Sequence, residues 1–89
     1  MNFLLGEKRE VTIRITSRKT DPFVIRNVKY SLIKNVTGEE VAAGSGALID
    51  KDISAVIQPT EATGHTLIFS YEIGNELLKA KVPIKVEKI

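Results

Sequence analysis

The sequence predicts an all-β fold: one small domain built as a sandwich of two facing sheets. Alternation of apolar and polar residues with period two runs nearly the whole length, and no 3.6-residue stripe persists. Turn-forming residues interrupt the alternation about every ten residues, leaving six or seven short strands, the signature of a sandwich or small barrel. The 89 residues fit a single domain covering 1–89. Cysteine is absent, so the core must hold the fold without disulfides, and zinc–thiolate and thiol chemistry are excluded.

The elements follow in order. Val11, Ile13 and Ile15 alternate with Thr12, Arg14 and Thr16, a half-buried strand that Thr20-Asp21-Pro22 ends. A second strand runs from Phe23 to Lys34. Its inward set changes parity, from Phe23 and Ile25 to Val28, Tyr30 and Leu32, which predicts a bulge near Arg26-Asn27. The loop Asn35–Gly38 then closes a hairpin predicted to pair Lys34 with Glu39, Leu32 with Val41 and Tyr30 with Ala43. The returning strand, Val41 to Ile49, is rich in small residues. Gly44 and Gly46 share a face and leave a floor for a bulky side chain or another backbone.

Asp50-Lys51-Asp52 turns into Ile53, Ala55 and Ile57, and Pro59 to Gly64 forms a loop. From His65 to Ile73 the alternation resumes, and Gly74-Asn75 is a two-residue hairpin turn. Its register pairs Tyr71 with Leu78, Phe69 with Ala80 and Leu67 with Val82 inward. Ser70 meets Lys79 and Ile68 meets Lys81 on the other face, and a slip of one residue would spoil every pair. Pro83 marks an edge or a bulge in the last strand.

No catalytic constellation stands out, no cofactor is expected, and the chain is not expected to be an enzyme. There is no phosphate-cradling glycine loop and no nucleophile elbow. The single histidine, His65, falls opposite Ile84 at the end of a strand, where it caps the core. The acids Glu39, Glu40, Asp50, Asp52 and Glu61 sit in or beside turns with no calcium-loop spacing. Asn35-Val36-Thr37 fits a glycosylation pattern and also a plain turn. The run Met1–Gly6 is too short for a signal-peptide core, and nothing approaches a membrane span, so a cytoplasmic protein is expected.

The surface carries the remaining leads. Ile33, Val56, Ile68 and Leu77, with Val24, fall on outer faces and would mark a protein partner if several merged into one patch. Lys79, Lys81 and Lys85 line the outer face of the last strand. Aromatic residues do not interleave with them, so guarding an edge is a better reading than nucleic-acid binding. Charge is uneven along the chain. Residues 1–34 hold eight Lys or Arg against three acids, residues 35–78 one against seven, and residues 79–89 four against one. The segments carry +5, −6 and +3, a layout suited to self-association through complementary charged sides.

Several stretches carry a family likeness: Leu5-Gly6-Glu7-Lys8-Arg9, Asp21-Pro22-Phe23-Val24-Ile25, Val41-Ala42-Ala43-Gly44-Ser45-Gly46, Pro59-Thr60-Glu61-Ala62-Thr63-Gly64 and Phe69-Ser70-Tyr71-Glu72-Ile73-Gly74. In this order they resemble small immunoglobulin-like or fibronectin-like domains encoded as separate proteins in bacterial phages and prophages. At Gly64-His65-Thr66 the chain lacks the tyrosine that many such sandwiches carry there. The resemblance implies an immunoglobulin-like antiparallel sandwich and a non-catalytic structural or interaction protein, carried in the virion or its assembly. The alternative is a bacterial carbohydrate- or cell-surface-binding module, which would need an exposed aromatic platform from Tyr30, Tyr71 and the three Phe.

Overall fold

A computed structural model describes residues 1–16 and 23–89. The expected break at Thr20-Asp21-Pro22 lies outside the described residues. The described residues form eight strands and no helix: β1 (Asn2–Leu4), β2 (Arg9–Arg14), β3 (Ile25–Lys34), β4 (Glu39–Ser45), β5 (Ala47–Ile49), β6 (Asp52–Ile57), β7 (Gly64–Ile73) and β8 (Glu76–Glu87). One sheet has the order β1-β8-β7-β3-β4 and the other β2-β6-β5. Both sheets feed a single core, with Val11, Ile53, Ala55 and Ile57 from the smaller sheet and Phe3, Leu32, Leu67, Phe69, Ile84 and Val86 from the larger.

Eight strands replace the six or seven expected, for two reasons. The N-terminal run Asn2–Leu4 is itself a strand. It pairs parallel with Lys85–Glu87, so the larger sheet is not wholly antiparallel. Phe3 enters the core through it, and the Arg9 guanidinium lies 4.8 Å from the Phe3 ring centre. The other reason is the run from Val41 to Ile49, which changes sheets. β4 pairs with β3, and β5 pairs with β6 in the opposite sheet. Gly46 is the joint, its N–H donating to the Val28 carbonyl at 2.9 Å. A Cβ at Gly46 would lie 2.6 Å from Val28 Cγ1 and 3.0 Å from the Ser54 carbonyl oxygen, so any other residue at the crossing forces its neighbours to shift. At Gly44 a Cβ would meet the Tyr30 ring at 3.1–3.3 Å.

The β7–β8 register is as read from the sequence: Tyr71 faces Leu78, Phe69 faces Ala80, Leu67 faces Val82, Ser70 faces Lys79 and Ile68 faces Lys81. Gly74 has φ +59° and Asn75 is not left-handed, the φ signs of a type II′ turn. The parity switch in β3 is also present. The β3–β7 register shifts between Arg26 and Lys29, and Asn27 takes φ +52°.

The β3–β4 register differs from expectation. Lys34 faces Glu39, but a second irregularity between Leu32 and Ile33 makes Val41 the extra residue. Leu32 therefore faces Ala42 and Tyr30 faces Gly44, and Val41 is exposed rather than inward. Phe23 and Tyr30, expected in the core, are half-buried at its rim, with the Lys51 ammonium 4.3 Å from the Phe23 ring centre.

Candidate functional site

The cross-strand registers fix the outer face of the larger sheet row by row. Ile33, Thr66 and Pro83 form one row; Ser31, Ile68 and Lys81 the next; Lys29, Ser70 and Lys79 the third; Glu72 and Leu77 the fourth. Of the candidate residues, Ile33, Ile68, Leu77, Lys79, Lys81 and Lys85 share this face. Val56 does not, because it belongs to β6 in the opposite sheet, facing Glu10. Ile33 and Ile68 are half-buried diagonal neighbours, while Leu77, 65% exposed, is separated from them by the row of Lys29, Ser70 and Lys79. The apolar candidates therefore do not merge into one patch.

The face is instead a mosaic of hydroxyls and lysines. A shallow groove of about 550 Å³ runs over it, lined by Lys29, Ser31, Ala43, Ser45, Ile68 and Ser70 among others. A second depression of about 510 Å³ adjoins it at Asn27, Lys29, Ser70, Glu72 and Leu77. Both open to solvent.

Ion pairs redistribute the charge. Arg14 Nε lies 3.0 Å from Asp52, Arg26 Nη2 3.9 Å from Glu72, and Lys34 Nζ 2.5 Å from Glu61. Each joins the basic N-terminal segment to the acidic middle, so part of the separation along the sequence cancels in space. Among the described residues, Lys79, Lys81 and Lys29 pair with no acid, and neither do Glu39, Glu40 and Asp50. What remains is a basic strand β8 on one side of the larger sheet and acids at the two ends of the β4–β5 run on the other.

His65 is 2% exposed, and its Nδ1 lies 2.9 Å from the Thr63 carbonyl oxygen. A carbonyl can only accept, so Nδ1 carries the proton in that bond. The ring is thereby fixed as a strut between the β6–β7 loop and the core, opposite Ile84. Asn35 is a strut as well: its Oδ1 accepts from the Thr66 hydroxyl at 2.7 Å and its N–H donates to the Gly64 carbonyl at 3.1 Å. Among the described residues no three of His, Cys, Asp and Glu gather as metal ligands, and no helix is long and apolar enough to cross a membrane.

All five aromatic residues are described. Phe3, Phe69 and Tyr71 are buried, and Phe23 and Tyr30 are half-buried. None forms an exposed platform.

The feature that sequence reading did not single out is the edge made by β4 and β5. From Val41 to Ile49 nine consecutive residues carry no charge and no proline. All but Ala42 and Gly46 are exposed, including Val41 and Leu48 at 41% and Ile49 at 75%. The small residues in this run signalled close backbone approach, but its place at the margin of both sheets depends on strand order. No protein-family model, curated protein or solved structure matches the chain.

Proposed function

We propose that the chain is a non-catalytic structural or protein-interaction module of phage or prophage origin, built on an immunoglobulin-like sandwich. The strand order supports the fold reading. β2-β6-β5 corresponds to strands B, E and D of an immunoglobulin domain, and β8-β7-β3-β4 to G, F, C and C′. The disulfide and tryptophan that mark antibody domains are absent.

The observation that carries the functional reading is the uncharged exposed edge Val41–Ile49. Native proteins normally protect such edges with lysine, proline or a covering segment, because unpaired backbone groups there recruit another chain. An edge kept free of these devices is suited to a partner. Assignment to a phage rests on the family resemblance. Mass spectrometry of purified particles induced from the source bacterium, together with the gene neighbourhood, tests it. The protein is expected in the particles at a fixed ratio to the other components, with capsid, portal or tail genes beside its own. Its absence from particles, with cell-wall or secretion genes as neighbours, would refute the phage reading and favour the surface-binding module.

A further inference from the structure

We infer that the partner of the β4 edge is strand β8 of a second copy, joined antiparallel so that the larger sheet continues from molecule to molecule. This rests on the interaction-module reading and names its partner. β4 and β8 lie toward opposite margins of one sheet. β1 covers β8 only at Lys85–Glu87, and Met1 bonds to the backbone of Pro83 and Lys85. Among the described residues the outer side of Glu76–Val82 is therefore uncovered. That stretch is seven residues long, as is β4.

Strand direction fits. β8, β7, β3 and β4 are successively antiparallel, so β4 runs opposite to β8. A neighbour added by simple repetition then meets β4 with its β8 in the antiparallel sense.

The side chains choose between the possible unions. Setting Ala43 opposite Lys79 keeps outward residues together, with Ser45 opposite Leu77. It places Ala42 opposite Ala80 and Gly44 opposite Leu78 on the inward side. Beyond the extra residue Val41, Glu40 then meets Lys81. Small residues of β4 thus receive larger ones of β8, and unlike charges meet. Two β8 edges would instead oppose lysines, and two β4 edges would gain no ion pair. Pro83 cannot donate to a ladder and closes the register at its upper end. Because the two surfaces differ, the contact is heterologous and repeats without closing on two copies.

Sedimentation velocity on the full chain tests this over a range of concentrations, at low and high salt. Growth beyond a dimer with concentration is expected, diminished at high salt. Glu39→Lys/Glu40→Lys and Lys79→Glu/Lys81→Glu should each weaken association by at least roughly tenfold. Both alter exposed side chains, so circular dichroism should match the parent. Mixed in equal amounts, the two variants restore complementary edges and should associate again. If either fails to fold, Ala43→Lys, which faces Lys79 in this register, should abolish growth. A parent chain that stays monomeric, growth that stops at two, or a mixture that stays dissociated would overturn the inference. The particle assay reads the module proposal independently.

Discussion

Replacing Gly46 by alanine tests the joint on which the two sheets depend. The new methyl would stand 2.6 Å from Val28 Cγ1, about 1 Å inside an ordinary carbon–carbon contact. Val28 is buried and β-branched, so its rotamer resists change. Its carbonyl is also held by the Gly46 N–H. The second neighbour, the Ser54 carbonyl at 3.0 Å, belongs to β6, which is paired on both sides and cannot retreat freely. Overpacking of this kind costs about 1–3 kcal/mol. Loss of glycine freedom in the unfolded chain offsets about 0.4–1 kcal/mol. The middle of the two ranges leaves a net loss of about 1.3 kcal/mol, which lowers Tm by roughly 5–10 °C for a domain this size. Urea unfolding should show a lower midpoint at unchanged slope.

The steric cause can be isolated in a double-mutant cycle. Val28→Ala alone should cost roughly 1.6 kcal/mol for two buried carbons. In that background Gly46→Ala should cost at least about 0.5 kcal/mol less than in the parent. A neutral Gly46→Ala, or strict additivity with Val28→Ala, would refute the crossing argument.

Three further outcomes are expected from the structure. Phe3→Ala should destabilise by about 3–5 kcal/mol in urea unfolding, because the ring of this three-residue strand lies inside the core. Asn27→Val should lower stability by about 1–3 kcal/mol, since a β-branched residue must adopt φ +52° and the hydrogen bond to Glu72 is lost. Arg14→Gln should cost less than about 1 kcal/mol in thermal melts, and the difference should shrink in high salt, because the Arg14–Asp52 pair is largely exposed.

How far the fold was legible depended on how much a slip would have cost. Across Gly74-Asn75 the inward residues of β7 are the large Leu67, Phe69 and Tyr71, so a one-residue error would drive Phe69 or Leu67 to the surface. That register could be read directly. Around Val41 the neighbours are Ala42, Ala43 and Gly44, and a slip there buries or exposes little. The extra residue left no trace in the alternation, and the pairing from Leu32 onward was misread. The bulge at Asn27 was legible because the parity of large apolar residues changes across it. β1 was missed because three residues cannot display a period. Parity alone placed the surface candidates on outer faces, and all but Val24, which precedes β3, and Val56, which lies in the smaller sheet, share one face. Whether they touched depended on β3, β7 and β8 being neighbours, a property of long-range strand order.

The two margins of the larger sheet show why function is better sought at edges than on faces here. Its outer face mixes Ser31, Ser70, Lys29, Lys79 and Ile68 in rows that offer neither a continuous apolar area nor a single charge. A partner on that face would have to desolvate hydroxyls and ammonium groups for scattered apolar contact. A partner at the edge gains main-chain hydrogen bonds that are unsatisfied by protein, and needs little from side chains. The lysines of β8, read alone, are edge guards. Set against the acids of β4 they become selective guards, excluding their own kind while admitting the opposite edge. Lys79 and Lys81 can therefore prevent indiscriminate aggregation and specify ordered assembly through the same charges, and the charge-swapped mixture separates these two roles.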